Sequence, residues 1–309
     1  MNKLIVLTGP TAVGKTKLSI ELAKRVGGEI ISADSMQVYK KMDIGSAKIT
    51  KDEMDGIPHY LIDILEPWED FNVVIFQEMA KKAMEDIYSR GNIPIIVGGT
   101  GFYIQALLYD IDFKEEDEEK EYRSELEEIS KEENGSERLY ELLKKVDFKA
   151  AEDIHPNNVK KVIRALEFFK HTGERISEHN AKEREKKSPY DFKYFVLNDK
   201  REKLYARIDS RVDKMIEAGL VDEVKELLST GVTKSNISME GLGYKEIIQY
   251  LDGGISLEDA VYKIKRDTRH FAKRQLTWFR REKDVIWVNK DEFEYDDNKI
   301  LDFMVKNEN

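Results

Sequence analysis

The sequence predicts an α/β protein in which a parallel sheet flanked by helices is interrupted by an all-helical insertion. Three observations predict it. Short apolar runs alternate with amphipathic stretches of helical period through the first 112 residues, as in a parallel sheet covered on both faces. A glycine-bounded sequence that fits a phosphate-binding loop stands between the first such run and the first helix. Residues 113–192 then carry helical segments and no convincing strand, after which the strand pattern returns for residues 193–309.

The elements follow in order. Lys3 to Thr8 reads as a buried strand, Gly9 to Thr16 as a loop, and Lys17 to Val26 as a helix with Leu18, Leu22 and Val26 near one face. Glu29 to Ala33 is a second strand, ending at Asp34, and Leu61 to Leu65 a third. Val73 to Arg90 has Ile75, Met79, Ala83 and Ile87 at helical spacing, stopped by Gly91-Asn92. Ile93 to Val97 is a buried strand running into Gly98-Gly99-Thr100-Gly101. In the insertion the best helices are Glu121 to Lys131, Ser136 to Lys145 and Asn158 to Thr172, punctuated by His155-Pro156 and Ser188-Pro189. Lys193 to Leu197 returns to the sheet. Lys200 to Leu228 is helical with a break at Gly219, Ser256 to Arg281 is a long helix, and Val285 to Val288 is the last strand.

The chain has 309 residues, 40% hydrophobic, so a sizeable core is expected. With no cysteine, disulfides, thiolate catalysis and Cys-type zinc sites are excluded, which fits a reducing cytoplasm. The N-terminus does not read as a signal peptide, and no run approaches a membrane span. The net charge of −10 is unevenly spread: residues 114–137 hold twelve acids and four bases, and residues 263–283 nine bases and two acids. The second segment interleaves cations with Phe271, Trp278 and Phe279. That mix suits RNA phosphate contact with stacking, and equally a buried aromatic stripe beneath a solvated basic face. His59, His155, His171, His179 and His270 show no metal spacing and read as structural.

Gly9-Pro10-Thr11-Ala12-Val13-Gly14-Lys15-Thr16 has the strand before it and the helix after it that a P-loop requires. Its backbone N–H groups can cradle an anion at a helix N-terminus, Lys15 adds a charge for the terminal phosphates, and the Thr16 hydroxyl can ligate Mg²⁺. The apolar strand Ile93 to Val97 is followed by no acid, which weakens ordinary NTP hydrolysis and leaves a transferase with a diphosphate leaving group open. Asp34 ends the second strand, beside the P-loop in such a sheet. It is a general-base candidate, or a turn residue. Thr100 is a second crevice candidate, or the N-cap of a helix from Phe102 onward.

Together GPTAVGKT, ISADSMQVYKKMDIGSAK, VGGTGFYIQALL, HPNNVKKVIRALE, RIDSRVDKMIEAGLVDEV, GLGYKEI and AKRQLTWFRR resemble, in order and from about Leu4 to Arg281, the tRNA dimethylallyltransferases (tRNA isopentenyltransferases) of the bacterial type without a zinc finger. The resemblance implies a P-loop NTPase-like fold and Mg²⁺-dependent transfer of a dimethylallyl group from dimethylallyl diphosphate. The acceptor would be N6 of adenosine 37, beside the anticodon in the tRNA stem-loop, and diphosphate would be released. It implies that Asp34 is the base, that Thr100 lies near the reacting centre and that Arg207 assists the diphosphate. It also implies tRNA contacts at Asp34, Ser35, Met36 and Gln37, at Lys160, Lys161 and Arg164, at Gly241, Gly243, Tyr244 and Lys245, and at Arg123. From the basic–aromatic segment, Lys273, Arg274, Gln275, Trp278 and Arg280 join that set. Two features depart from the pattern. Lys160-Lys161 stands where arginine is expected, which keeps charge but loses bidentate contact, and the acidic run Glu115 to Glu121 belongs away from RNA. A monomer is the default. A nucleoside or small-molecule kinase using the same P-loop for ATP, and an RNA-binding module without chemistry, are the competing readings.

Overall fold

The computed structural model describes residues 2–113 and 120–308, and in it the apolar runs lie side by side as one six-stranded sheet. The chain runs β1 (Lys3–Thr8), α1 (Lys15–Val26), β2 (Gly28–Ala33), β3 (His59–Tyr60), α2 (Val73–Ser89), β4 (Ile93–Gly98) and α3 (Gly101–Leu108). Next come α4 (Lys120–Lys131), α5 (Gly135–Val146), α6 (Phe148–Asp153), α7 (Val159–Thr172) and α8 (Ile176–Glu185). It closes with β5 (Asp191–Asn198), α9 (Arg201–Glu217), α10 (Leu220–Ser229), α11 (Tyr244–Leu251), α12 (Leu257–Phe279), β6 (Val285–Asn289) and α13 (Asp297–Glu308). Strand order is β3-β2-β4-β1-β5-β6, every pair parallel.

Parallel register sets what meets at the carboxyl edge. Thr8 of β1 and Ala33 of β2 both pair with Gly98 of β4, so the P-loop, Asp34 and Gly99-Thr100 leave the sheet at one level. That edge is where open α/β sheets bind ligands. Beneath it Ile5, Leu7, Leu18, Leu22, Ile30, Ile95 and Phe195 form a core, each at most 2% exposed. Burying one such side chain contributes about 1.5–3 kcal/mol, so α1 is pinned to the sheet through Leu18 and Leu22.

Local signals set the helix ends. Asn72 accepts from Val74 N and Ile75 N at the start of α2, and Ser256 with Asp259 forms a capping box on α12. Gly219, at φ 99°, parts α9 from α10. The strand expected over Leu61 to Leu65 is absent. β3 is only His59–Tyr60, because Leu61 and Asp63 turn into the left-handed region (φ 61° and 55°), and a lone bridge joins Tyr39 to Leu65.

The chain splits into two compact units, Met1–Leu108 with Pro189–Asn309, and Tyr109–Ser188. These limits differ from residues 112 and 192 for visible reasons. Asp191 already pairs with Lys3 in the sheet, whereas Asp110 and Asp112 bond to Lys186, Glu183 and His179 of the insertion. The insertion has its own core of Leu126, Leu139, Leu143, Val162, Ile163 and Leu166. Buried Asp147 ties α6 to α8, accepting from Ala150 N (3.0 Å), Ser177 N (2.9 Å) and Ser177 Oγ (2.7 Å). Residues 115–119 of the acidic run Glu115 to Glu121 lie outside the described residues. Among those described, no helix is long and apolar enough to cross a membrane.

Candidate active site

The P-loop leaves β1 through Gly9 and enters α1 through Gly14, both at positive φ (147° and 99°), which glycine tolerates. Among the described residues the amides of Ala12, Gly14, Lys15 and Thr16 meet no acceptor, so four N–H groups and the start of α1 are open to an anion. Two loop amides are engaged elsewhere: Val13 N bonds to Pro10 O (3.3 Å) and Thr11 N to Gln275 Oε1 (2.9 Å). Lys15 Nζ folds back onto the carbonyls of Gly9 (2.9 Å) and Pro10 (3.0 Å). Burial lowers its pKa to about 8, Arg211 pushes the same way, and Asp34 opposes both. The Thr16 hydroxyl is exposed and bonds to no described residue, and among the described residues no cluster of three or more acids or histidines stands ready for a metal. One hydroxyl fits a Mg²⁺ ion that arrives with phosphate oxygens, not a protein-made cage.

Asp34 is half-buried just past β2. Its Oδ1 accepts from Met36 N (2.9 Å) and Gln37 N (3.4 Å), which fixes the carboxylate, while Oδ2 accepts from no described residue. Asp34 is close enough to Lys15 and Arg211 to favour the charge on both, and to help burial raise Tyr103 to about 12. Thr100 precedes α3, and its carbonyl receives Tyr103 N and Ile104 N, but its hydroxyl makes no hydrogen bond among the described residues. The N-cap alternative therefore does not account for that hydroxyl.

Arg207 differs from expectation. Its guanidinium donates to Ala12 O (2.9 Å) and to buried Asp199 (2.5 Å), bracing the P-loop. Arg211, one turn along α9, faces Lys15 and Asp34 instead. Burial lowers its pKa, Asp34 opposes that, and Arg207 adds to it. The sequence reading passed over Arg211, although RIDSR carries two arginines four residues apart, on one helix face.

Several proposed RNA contacts have other partners. Tyr244 is wholly buried, its hydroxyl bonded to Glu223 (2.8 Å), and Gly241 and Gly243 are buried beside it, so of that group only Lys245 is exposed. Glu223, for which the sequence offered no signal, also accepts from the amides of Asp43, Ile44 and Gly45. Gln37 donates to Ser46 O and Ala47 O, Met36 packs beside Gly241, and Ser35 is half-buried. Gln275 is 6% exposed and faces the P-loop, not solvent. Trp278 packs on Gly101 and edge-on to Phe102 (6.2 Å, 73°). Lys273, Arg274 and Arg280 are exposed, and Lys273, Arg274 and Trp278 line an open cavity of about 450 Å³ with His270, Thr277 and Arg281. In the insertion Lys160, Lys161 and Arg164 form an exposed basic face of α7, opposite buried Val162 and Ile163, whereas Arg123 is paired with Glu127 and Glu167.

Comparison with known proteins gives this geometry its setting. A family model described as IPP transferase matches residues 37–282, and one described as isopentenyl transferase matches residues 2–65. A tRNA dimethylallyltransferase of Lachnoclostridium phytofermentans is 62% identical over 306 residues, 99% of this chain and 97% of that protein. The crystal structure of a tRNA isopentenylpyrophosphate transferase from Bacillus halodurans superposes with a TM-score of 0.75 at 45% identity, covering 100% of this chain and 97% of the other. A eukaryotic dimethylallyltransferase acting on tRNA superposes with a TM-score of 0.81 at 34% identity, covering 94% of this chain and 74% of the other. With a matching P-loop sheet and family models spanning most of its length, the chain belongs to the tRNA dimethylallyltransferase (isopentenyltransferase) family.

Proposed function

We propose that this protein moves the dimethylallyl group of dimethylallyl diphosphate onto N6 of adenosine 37, beside the anticodon of tRNA, and releases diphosphate, working as a monomer in the cytoplasm. The observation that carries the proposal is the cluster of Lys15, Arg211 and Asp34 over four open P-loop amides. Cations and amides on one side hold a diphosphate, and a carboxylate oxygen with no partner among the described residues faces an incoming amine.

In the reaction the bond from the allylic carbon to the diphosphate oxygen breaks, and the electron pair leaves with the diphosphate. The open amides, Lys15 and Arg211 stabilise the charge that grows there. Adenine N6 bonds to the same carbon and gives up a proton, which Asp34 Oδ2 accepts while Oδ1 stays bonded to Met36 N and Gln37 N. Thr100, with its uncommitted hydroxyl level with Asp34 at the sheet edge, orients the amine or the bridging oxygen. Mg²⁺ held by Thr16 together with the phosphate oxygens would supply further charge neutralisation. Lys273, Arg274 and Arg280 contact RNA phosphates, and the loop base is splayed from its stack to reach the crevice.

The test is labelled dimethylallyl diphosphate with unmodified tRNA, run beside labelled ATP with a nucleoside panel. Label in tRNA, recovered as an N6-substituted adenosine next to the anticodon, is the expected result. ATP turnover with a small acceptor would assign a kinase, and no chemistry with either would leave an RNA-binding module.

A further inference from the structure

We propose that Gln275 is a positioning residue that holds the P-loop and the Thr100 turn in fixed register, an inference that rests on the transfer chemistry proposed above. Gln275 sits in α12 among six lysines and arginines, where a neutral polar residue draws no notice, yet it is buried. Its carboxamide is divided between two loops. Oε1 accepts from Thr11 N of the P-loop at 2.9 Å, and Nε2 donates to Gly99 O at 3.0 Å. Those loops leave the adjacent strands β1 and β4 at paired positions, Thr8 and Gly98. One carries the open amides and Lys15, and the other carries Thr100.

Only glutamine meets both demands at this reach. A carboxylate has no donor for Gly99 O, asparagine is one methylene short, and methionine offers neither group. The turn is shaped to receive the amide. A Cβ at Gly99 would lie under 3.0 Å from Gln275 Nε2, and a Cβ at Gly101 would lie under 3.0 Å from the indole of Trp278, one helical turn further along α12. The two glycines that flank Thr100 are thus filled by two side chains of one α12 face. A buried carboxamide bonded at both ends has one orientation, because turning it would set N–H against N–H and oxygen against oxygen. The distance between the diphosphate cradle and the Thr100 hydroxyl is therefore set by α12, although Gln275 touches neither substrate.

Gln275→Met keeps the volume and removes both hydrogen bonds. The expected result is a kcat lower by about 30-fold and inorganic pyrophosphate binding to the enzyme weaker by about tenfold, with the KM for tRNA within threefold and Tm within a few degrees of the parent. Gly99→Ala attacks the same contact from the other loop and should weaken pyrophosphate binding to a similar extent. Adding Gly99→Ala to Gln275→Ala, where the methyl has room, should cost less than twofold more, since both changes remove one interaction. A raised KM for tRNA with unchanged pyrophosphate binding would make Gln275 an RNA contact and overturn the proposal. Additive effects of the Gly99 and Gln275 changes, or a fall in Tm with parental pyrophosphate affinity, would overturn it as well. Pyrophosphate binding is read without RNA or prenyl donor, so it decides the role of Gln275 even if the parent enzyme transfers no label, an outcome that would instead remove the function proposed above.

Discussion

Two glycine-bounded turns of this chain look alike in sequence and differ in use. Among the described residues Gly9 to Thr16 leaves four amides and the Thr16 hydroxyl without a partner at the carboxyl edge of the sheet, with Lys15 folded onto the loop's own carbonyls. Gly241 to Lys245 is closed: Tyr244 is buried with its hydroxyl on Glu223, and Gly243 N bonds to Glu246, whose own pKa burial raises. In both places glycine permits close approach. In the second the approaching groups are the protein's own tyrosine and carboxylates, whereas in the first, under the function proposed above, a diphosphate comes from outside the chain. A glycine pattern therefore reports that something comes near and leaves its identity to the packing.

The comparison is sharpened most by Lys15→Ala, which should lower kcat/KM for the prenyl donor by about 10³-fold in steady-state assays, since it removes a charge from a leaving-group site. Parental kcat/KM would place the phosphate elsewhere. Arg211→Ala comes next, with a loss of about 10- to 100-fold in donor kcat/KM. Arg207→Ala should lose less, because its guanidinium meets the loop through Ala12 O. The reverse order would restore Arg207 to the role first expected of it.

Donor binding also depends on pH. The free enzyme's Lys15 has its pKa lowered to about 8, and a bound diphosphate favours the protonated amine. Binding is therefore strongest below about pH 8 and weakens as pH rises through that value, by up to about tenfold per unit. Calorimetry with dimethylallyl diphosphate from pH 7.5 to 9.5, where the ligand's own charge stays constant, checks this, and a flat profile would remove Lys15 from the contact.

The smallest effect belongs to the closed turn. Tyr244→Phe deletes one buried hydrogen bond to a carboxylate that three amides still hold. It should cost about 1–3 kcal/mol, lowering Tm by a few degrees, and leave the KM for tRNA within twofold. A large rise in that KM would return Tyr244 to the RNA surface.

Strands β1, β2, β4 and β5 were legible because most of their residues are buried whichever face they point to, and so read as short, largely apolar runs, and β6, a half-buried edge strand, through the run Val285 to Val288. The P-loop was legible because its chemistry requires fixed residues at fixed spacing. Leu61 to Leu65 misled because an apolar composition does not reveal two residues at positive φ. In the site, Asp34 and Lys15 could be placed from the strands they follow. Arg211 could not be told from Arg207, since the choice depends on which turn of α9 faces the P-loop. Gln275 was assigned to RNA by the charge of its neighbours, whereas its orientation is set by gaps at Gly99 and Gly101 that exist only in the folded chain. Pairing of Arg123 with Glu167 was hidden for the same reason, the two being 44 residues apart, whereas its pairing with Glu127 has the spacing of neighbours on one helix face.

The central claim is that one carboxylate beside the phosphate cradle takes the proton of an RNA amine. Single-turnover transfer by Asp34→Asn, with donor affinity measured on the same preparation, tests it most directly. The account predicts a chemical step slower by about 10²- to 10⁴-fold with donor affinity within about threefold of the parent. An unchanged chemical step, or a loss confined to donor affinity, would contradict it.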